Sequence, residues 1–168
     1  LTALGINIKE ITLNCESFDI FVRELQPNVV IFDRFMMEEQ FGWRVIEQCP
    51  RALRILDTED LFSLRHARHH AFKSSTTMTD SDLLTSDMAK REVAAIFRCD
   101  LTLMISSVEI DLLIRLYKVD GSLLHYLPFM FDEQQLNLSN PEFEQREHFV
   151  SIGNFRHAPN WDSVLRLK

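Results

Sequence analysis

Four short apolar runs limit what this chain can fold into: VVIF at 29–32, LRIL at 53–56, LTLMI at 101–105 and LLHYL at 123–127. Each has strand length rather than helix length, and the first and third carry the continuous apolar character of strands buried on both faces. Between them lie segments with helical spacing. Met36 to Cys49 follows the first run, with Glu38 and Glu39 in its first turn, where carboxylates suit the helix dipole, and with Gly42 weakening it by about 1 kcal/mol relative to Ala. A polar helix over 61–73 follows the second run. Ala89, Val93, Ile96 and Phe97 share one face of a helix that begins near Asp87, and Ile110, Leu113, Ile114 and Tyr117 mark the next. Upstream, INIKEITLN (6–14) reads as an imperfectly alternating strand. SFDIFVREL (17–25) reads as a helix with Ser17 as its cap and Pro27 as its stop. Strand and helix in repeated alternation with short connections imply right-handed crossovers, hence an α/β fold with a parallel sheet covered by helices on both faces.

Two stretches interrupt the rhythm. KSSTTMTDSD (73–82) is a long polar loop, and DEQQLNLSNPEFEQREH (132–148) has the polar, proline-bearing composition of an interdomain linker. After the linker, Phe149 to Gly153 reads as a strand and the following residues as the opening of a helix, so a new βα unit starts where the chain ends.

Composition excludes several classes. A net charge of −7 argues against a general nucleic-acid surface, which needs Lys and Arg to neutralise phosphates. No apolar run approaches the ~18 residues that span a bilayer, and no secretion signal opens the chain, so a soluble, cytoplasmic setting is expected. Cys15, Cys49 and Cys99 are odd in number and lack C-x-x-C spacing; they read as free thiols. The phosphate-cradling patterns G-x-G-x-x-G and G-x-x-x-x-G-K-[ST] are absent, as is the G-x-S-x-G nucleophile elbow. His66, His69 and His70 sit within two helical turns, but no acid or thiolate completes a ligand set at that spacing. A solvated basic face with Arg65, Arg68 and Lys73 is the expected role, with no metal.

Position supplies the candidate site. Open parallel sheets bind ligands outside the carboxyl ends of their strands. Here those ends carry Asp33 and Arg34, then Asp57, Glu59 and Asp60, then Ser106, Ser107 and Glu109. Any one of them has a plainer role available: Asp57, Asp60, Ser106 or Ser107 as a helix cap, Arg34 as an ion-pair partner. The case for a site rests on their sharing one edge.

At these residues the sequence resembles a known family. VVIFDRF, RILDTEDLFSLRHAR, REVAAIFRCDLTLMIS, VDGSLLHYLPFMFD and FVSIGNFRHAPNWDSV resemble, in that order, the middle of group 1 glycosyltransferases of the GT-B type, from about residue 28 onward. The resemblance implies two Rossmann-like domains facing each other, the first on the acceptor side and the second holding the nucleotide-sugar donor. It divides the chain into a truncated acceptor-side domain (1–131), a linker (132–148) and the first strand and helix of the donor domain (149–168). The expectation is therefore an internal piece of a larger enzyme, inactive alone, with no initiator methionine and without the glycine-rich turn and E-x(7)-E region of such enzymes. Self-association through truncated edges is a further expectation.

The resemblance assigns roles by position. Glu59 and Asp60 stand where many relatives carry a His-Asp pair near the transfer centre, and would orient or deprotonate an acceptor hydroxyl. Asp33, Arg34, Asp57, Arg65, Ser106 and Glu109 would line the acceptor side. Gly153, Asn154, Arg156, His157 and Asn160 would meet the donor, with Asn154 and Asn160 at positions that relatives fill with basic residues. The resemblance also implies a glycan, lipid or small-molecule acceptor, retention of configuration, and no cofactor beyond the nucleotide-sugar co-substrate. Two other readings stay open: a receiver-like regulatory domain with Asp33 as phosphoacceptor, poorly matched by Asn14-Cys15-Glu16 and Ser106-Ser107, and a non-catalytic scaffold.

Overall fold

The structure, a computed structural model, describes residues 2–130, 141–156 and 158–167. Contacts divide the chain into two units, Leu1–Phe129 and Met130–Lys168. The first unit is an α/β layer. Its strands β1 (Val29–Asp33), β2 (Leu53–Asp57), β3 (Leu101–Met104) and β4 (Leu124–Tyr126) form one parallel sheet in the order β1-β2-β3-β4. Helices α1 (Glu16–Leu25), α2 (Phe35–Gln48), α3 (Phe62–Lys73), α4 (Asp80–Leu84), α5 (Asp87–Arg98) and α6 (Ser107–Tyr117) lead into or connect the strands.

Strand order decides which face is covered. Successive right-handed crossovers that all step the same way across a sheet lay their helices on the same side. Burial follows this rule. Phe32, Leu56 and Thr102 stand in register across β1, β2 and β3, and all three are buried with Met104 beneath the helices. The alternate residues face the other way: Val29, Ile31 and Leu53 are exposed, while Ile55, Leu101 and Leu103 are half-buried. The expected helices on both faces are therefore not found among the described residues of this unit. Apolar runs of this kind match doubly buried strands, but the monotonic strand order leaves one face bare.

Helix ends depart from expectation in two places. Cys15, not Ser17, is the residue that caps α1; Ser17 lies inside the first turn and its hydroxyl donates to Cys15 Sγ at 3.1 Å. Glu38 does more than favour the dipole of α2. Its buried carboxylate is held by the Arg98 guanidinium of α5, while Glu39 pairs with Arg91. This explains Gly42, one turn along: a Cβ there would lie 2.5 Å from Glu38 Oε1. Arg54 and Asp100 make a forked pair, with bonds of 3.1 and 2.8 Å, that fastens the start of β2 to the turn entering β3. The polar stretch at 73–82 is shortened by α4, whose first turn is closed by Thr79 N donating to Asp82 Oδ2 at 2.7 Å.

Two expected strands are absent. Residues 6–14 are irregular, and Ile6, Ile8, Ile11 and Leu13 are exposed; their alternation breaks between Ile8 and Ile11, and no neighbouring strand pairs with them. Residues 149–153 are also not a strand. Phe149, Val150 and Ile152 are almost wholly exposed, and the second unit offers no partner strand among its described residues. A strand without a neighbour satisfies neither its backbone groups nor its side chains. The second unit holds a short turn at Phe143–Gln145 and helix α7 (Ala158–Leu165); residues 132–140 of the anticipated linker lie outside the described residues.

Truncating Leu56, which has no exposed surface, to Ala is expected to cost about 3 kcal/mol. Leu25→Ala on the exposed flank of α1 should cost less than about 0.5 kcal/mol; urea unfolding of both variants checks this. Gly42→Ala should lower the unfolding midpoint despite the better helix propensity of Ala, because the Glu38 carboxylate locked by Arg98 must move.

Candidate functional site

The chain leaves β1 at Asp33 through a constrained turn. Arg34 has φ 67° and ψ 157°, and its N–H donates to Asp57 O at 2.7 Å, extending the ladder by one bond beyond the strand. Such a conformation is costly for a residue with a Cβ and persists only where surrounding bonds enforce it. The result aims the Arg34 guanidinium across the carboxyl edge. Its Nε donates to Asp33 Oδ1 at 3.0 Å and lies 3.8 Å from Glu59 Oε2.

The turn after β2 is similarly built. Thr58, buried, donates from its hydroxyl to Leu103 O at 3.0 Å, fastening the turn to β3. Glu59 adopts φ 57°, and its N–H donates to Asp57 Oδ1 at 3.3 Å. Asp60 Oδ2 lies 3.4 Å from Arg65 Nε, whose guanidinium stacks over the Phe62 ring at 4.6 Å. Asp33, Arg34, Asp57, Glu59, Asp60 and Arg65 are thus brought to one edge. Glu109 joins them from α6, its Oε2 accepting from Leu61 N at 3.3 Å.

Ser106 has the plainer role: its Oγ caps α6 by accepting from Glu109 N at 3.4 Å. His66, His69 and His70 are exposed on α3, and among the described residues no three His, Cys, Asp or Glu side chains gather to hold a metal. A shallow depression bordered by Pro27, Asn28, Pro50 and Arg51 lies at the amino ends of β1 and β2, away from this edge.

Sequence reasoning missed Glu92. This buried α5 carboxylate accepts from Phe62 N at 2.8 Å, Ser63 N at 3.1 Å and Ser63 Oγ at 2.5 Å. With Glu109 it satisfies the first N–H groups of α3, which has no side-chain cap of its own. The signal was present: Glu92 interrupts the apolar face formed by Ala89, Val93 and Ile96, and a charge on a buried face needs donors. A helix N-terminus ordinarily favours an anion; here the protein supplies its own. The edge is consequently anionic, with Arg34 and Arg65 each facing carboxylates.

In the second unit, Asn154 Oδ1 accepts from Arg156 N at 3.1 Å, and Asn160 Nδ2 donates to Asn154 O at 3.2 Å. Gly153 permits this closure, since a Cβ there would lie 2.9 Å from Asn160 Nδ2. Asn154 and Asn160 are joined in one turn with Arg156 exposed beside it; His157 lies outside the described residues.

Burial pushes the carboxyl of Glu92 above its ordinary value of 4.5, against the lowering effect of its bonds from Ser63 and Phe62; burial likewise raises Glu109. A carboxyl with a raised pKa in the folded state binds its proton more readily folded than unfolded, so stability falls as pH rises from the unfolded value through the raised one. The stability of the wild type relative to Glu92→Gln should therefore decline as pH increases from about 4.5 and level off once Glu92 is ionised. Urea titrations of both proteins between acidic and neutral pH read this difference.

Comparison of the chain with protein-family models, with curated proteins and with solved structures finds no match.

Proposed function

We propose that this chain forms the acceptor side of a glycosyltransferase of the GT-B type, which moves a sugar from a nucleotide-sugar donor to a hydroxyl-bearing glycan, lipid or small molecule in the cytoplasm. The observation that carries the reading is the anionic carboxyl edge, where Asp33 and Glu59 face Arg34, Asp57 holds the Glu59 turn, Asp60 faces Arg65, and Glu92 and Glu109 close the N-terminus of α3. Such an edge disfavours a diphosphate and suits a neutral polyol, whose hydroxyls donate to carboxylates. This fits the division of labour that the sequence resemblance implies.

In this reading Glu59 or Asp60 accepts the proton of the attacking hydroxyl, within hydrogen-bond reach of it. Arg34 holds Glu59 and Asp33 in place, and Arg65 holds Asp60. The departing nucleotide diphosphate needs cationic and backbone N–H groups. Arg156, beside Gly153, Asn154 and Asn160, is the candidate for that contact in the second unit. Transfer proceeds with retention of configuration and without a metal, and closure around both substrates keeps water from the donor.

Titration of the isotope-labelled chain with neutral mono- and oligosaccharides should shift backbone amide resonances at Arg34, Glu59, Asp60 and Leu61. Glu59→Gln combined with Asp60→Asn should abolish the shifts. Shifts at this edge caused by a nucleoside diphosphate and by no sugar would overturn the assignment. The chain on its own is expected to transfer no sugar from any nucleotide sugar, measured as released nucleotide above background.

A further inference from the structure

Helix α3, FSLRHARHHAFK, carries Arg65, Arg68, Lys73 and three histidines with no acid among them, in a chain whose net charge is −7. Ser63, Leu64, Ala67 and Ala71 turn one side of it into the core. The other side is left basic. His66, His69, His70 and Lys73 recur at i, i+3, i+4 and i+7 along one exposed row, and Arg65, Arg68 and Phe72 form the adjoining row. Phe72 is 54 % exposed among these cations, and Leu84, at the end of the neighbouring helix α4, is 49 % exposed. Arg65 is engaged by Asp60 and belongs to the carboxyl edge; the remaining five basic side chains take part in no ion pair among the described residues.

We infer that this face of α3 docks the protein on an anionic phospholipid surface, with His66, Arg68, His69, His70 and Lys73 over the headgroups and Phe72 at the acyl boundary. A basic helix face that also presents an apolar side chain fits a surface with charge outside and hydrocarbon beneath. Charge decides the orientation. A protein with net charge −7 is repelled by anionic lipid over most of its surface, so the acid-free helix is the side that can approach. The same net charge disfavours a nucleic acid, which wraps or tracks a broad basic surface rather than one helix about 18 Å long.

Histidine is the side chain that takes up charge between about pH 8 and 5, so docking through three of them strengthens on acidification. The neighbours of α3 set the background. Asp82 of α4 acts on His70 and is itself held by Thr79, and Asp80 of α4 is held by Arg115. Glu92 of α5 is turned inward to Phe62 and Ser63, while Glu109 of α6 acts on Arg68. Glu92 and Glu109 also gain protons on acidification, and a test must separate them from the histidines. Each cation brought to an anionic surface strengthens binding about fivefold; Arg68 and Lys73 alone give weak binding, and three added charges make it readily measurable.

Cosedimentation of the 168-residue chain with vesicles tests the inference, using phosphatidylcholine alone and phosphatidylcholine with about 30 % phosphatidylserine at about 0.1 M salt. Partitioning onto the anionic vesicles should be about tenfold stronger at about pH 5.5 than at about pH 7.5, and absent on phosphatidylcholine. The triple variant His66→Gln, His69→Gln, His70→Gln should keep the wild-type circular dichroism spectrum and lose the acid enhancement, which protonation of Glu92 and Glu109 alone would leave in place. Phe72→Ser should weaken binding several-fold. Lys73→Glu should weaken it more, while Arg23→Glu, at an exposed position on α1, should bind as the wild type does. No binding to anionic vesicles, equal binding to neutral ones, an acid enhancement untouched by the triple variant, or retention of single-stranded RNA in place of vesicles would each overturn the inference. The sugar titration reads the carboxyl edge and vesicle binding reads α3, so either reading can fail without the other.

Discussion

Burial of one face of a short parallel sheet beneath a single helical layer is the interaction on which everything else in the first unit depends. Phe32, Leu56, Thr102 and Met104 form its floor, and helices such as α2 and α5 close over it with Phe35, Phe41, Val45, Ala95 and Ile96. Because the same backbone ladder carries both faces, each residue buried there places a neighbour on the opposite side. Ile31 and Ile55 are outward for the reason that Phe32 and Leu56 are inward.

Polar contacts within the helical layer orient it rather than simply adding stability. Glu38 with Arg98 and Glu39 with Arg91 join α2 to α5, and Arg44 with Asp19 joins α2 to α1. Where a partner is buried, as Glu38 is and as Arg44 with Asp19 nearly are, an ion pair contributes little net free energy against hydrophobic replacement, but removing one partner is costly; the more exposed Glu39–Arg91 pair contributes less. They therefore act on register. Gly42 belongs to this set, since its missing side chain leaves room for the Glu38 carboxylate. Glu92 performs the corresponding task for α3, and through α3 it positions the Glu59-Asp60 turn at the carboxyl edge.

That edge is chemically uneven. Two residues with positive φ, Arg34 and Glu59, face each other across the ends of β1 and β2, each held by a backbone hydrogen bond to Asp57 or its side chain. Strain of this kind is retained where neighbouring bonds over-determine the backbone. Here it directs a cation among carboxylates at the place where parallel sheets present their ligand-binding groups. The chemistry favours hydroxyl donors over phosphates, and this property distinguishes the proposed acceptor side from a donor site.

The four strands of the sheet and the main helices were legible from residue order alone, because apolar runs of strand length alternating with helical periodicity admit few arrangements. The polar residues that follow each strand were legible for the same reason: in a parallel sheet every strand ends at the same edge. Strand order was not, since the pattern of VVIF, LRIL and LTLMI is identical whether or not a second helical layer covers them. Nor were the fates of INIKEITLN and FVSIG, whose alternation suits a strand but which find no partner strand among the described residues. Glu92 could be noticed as a charge on an apolar face, yet only the packing of α5 against α3 supplied its donors. Local pattern and covalent order decided which segments became strand or helix; long-range pairing and the direction of the crossovers decided which faces were covered and which side chains met.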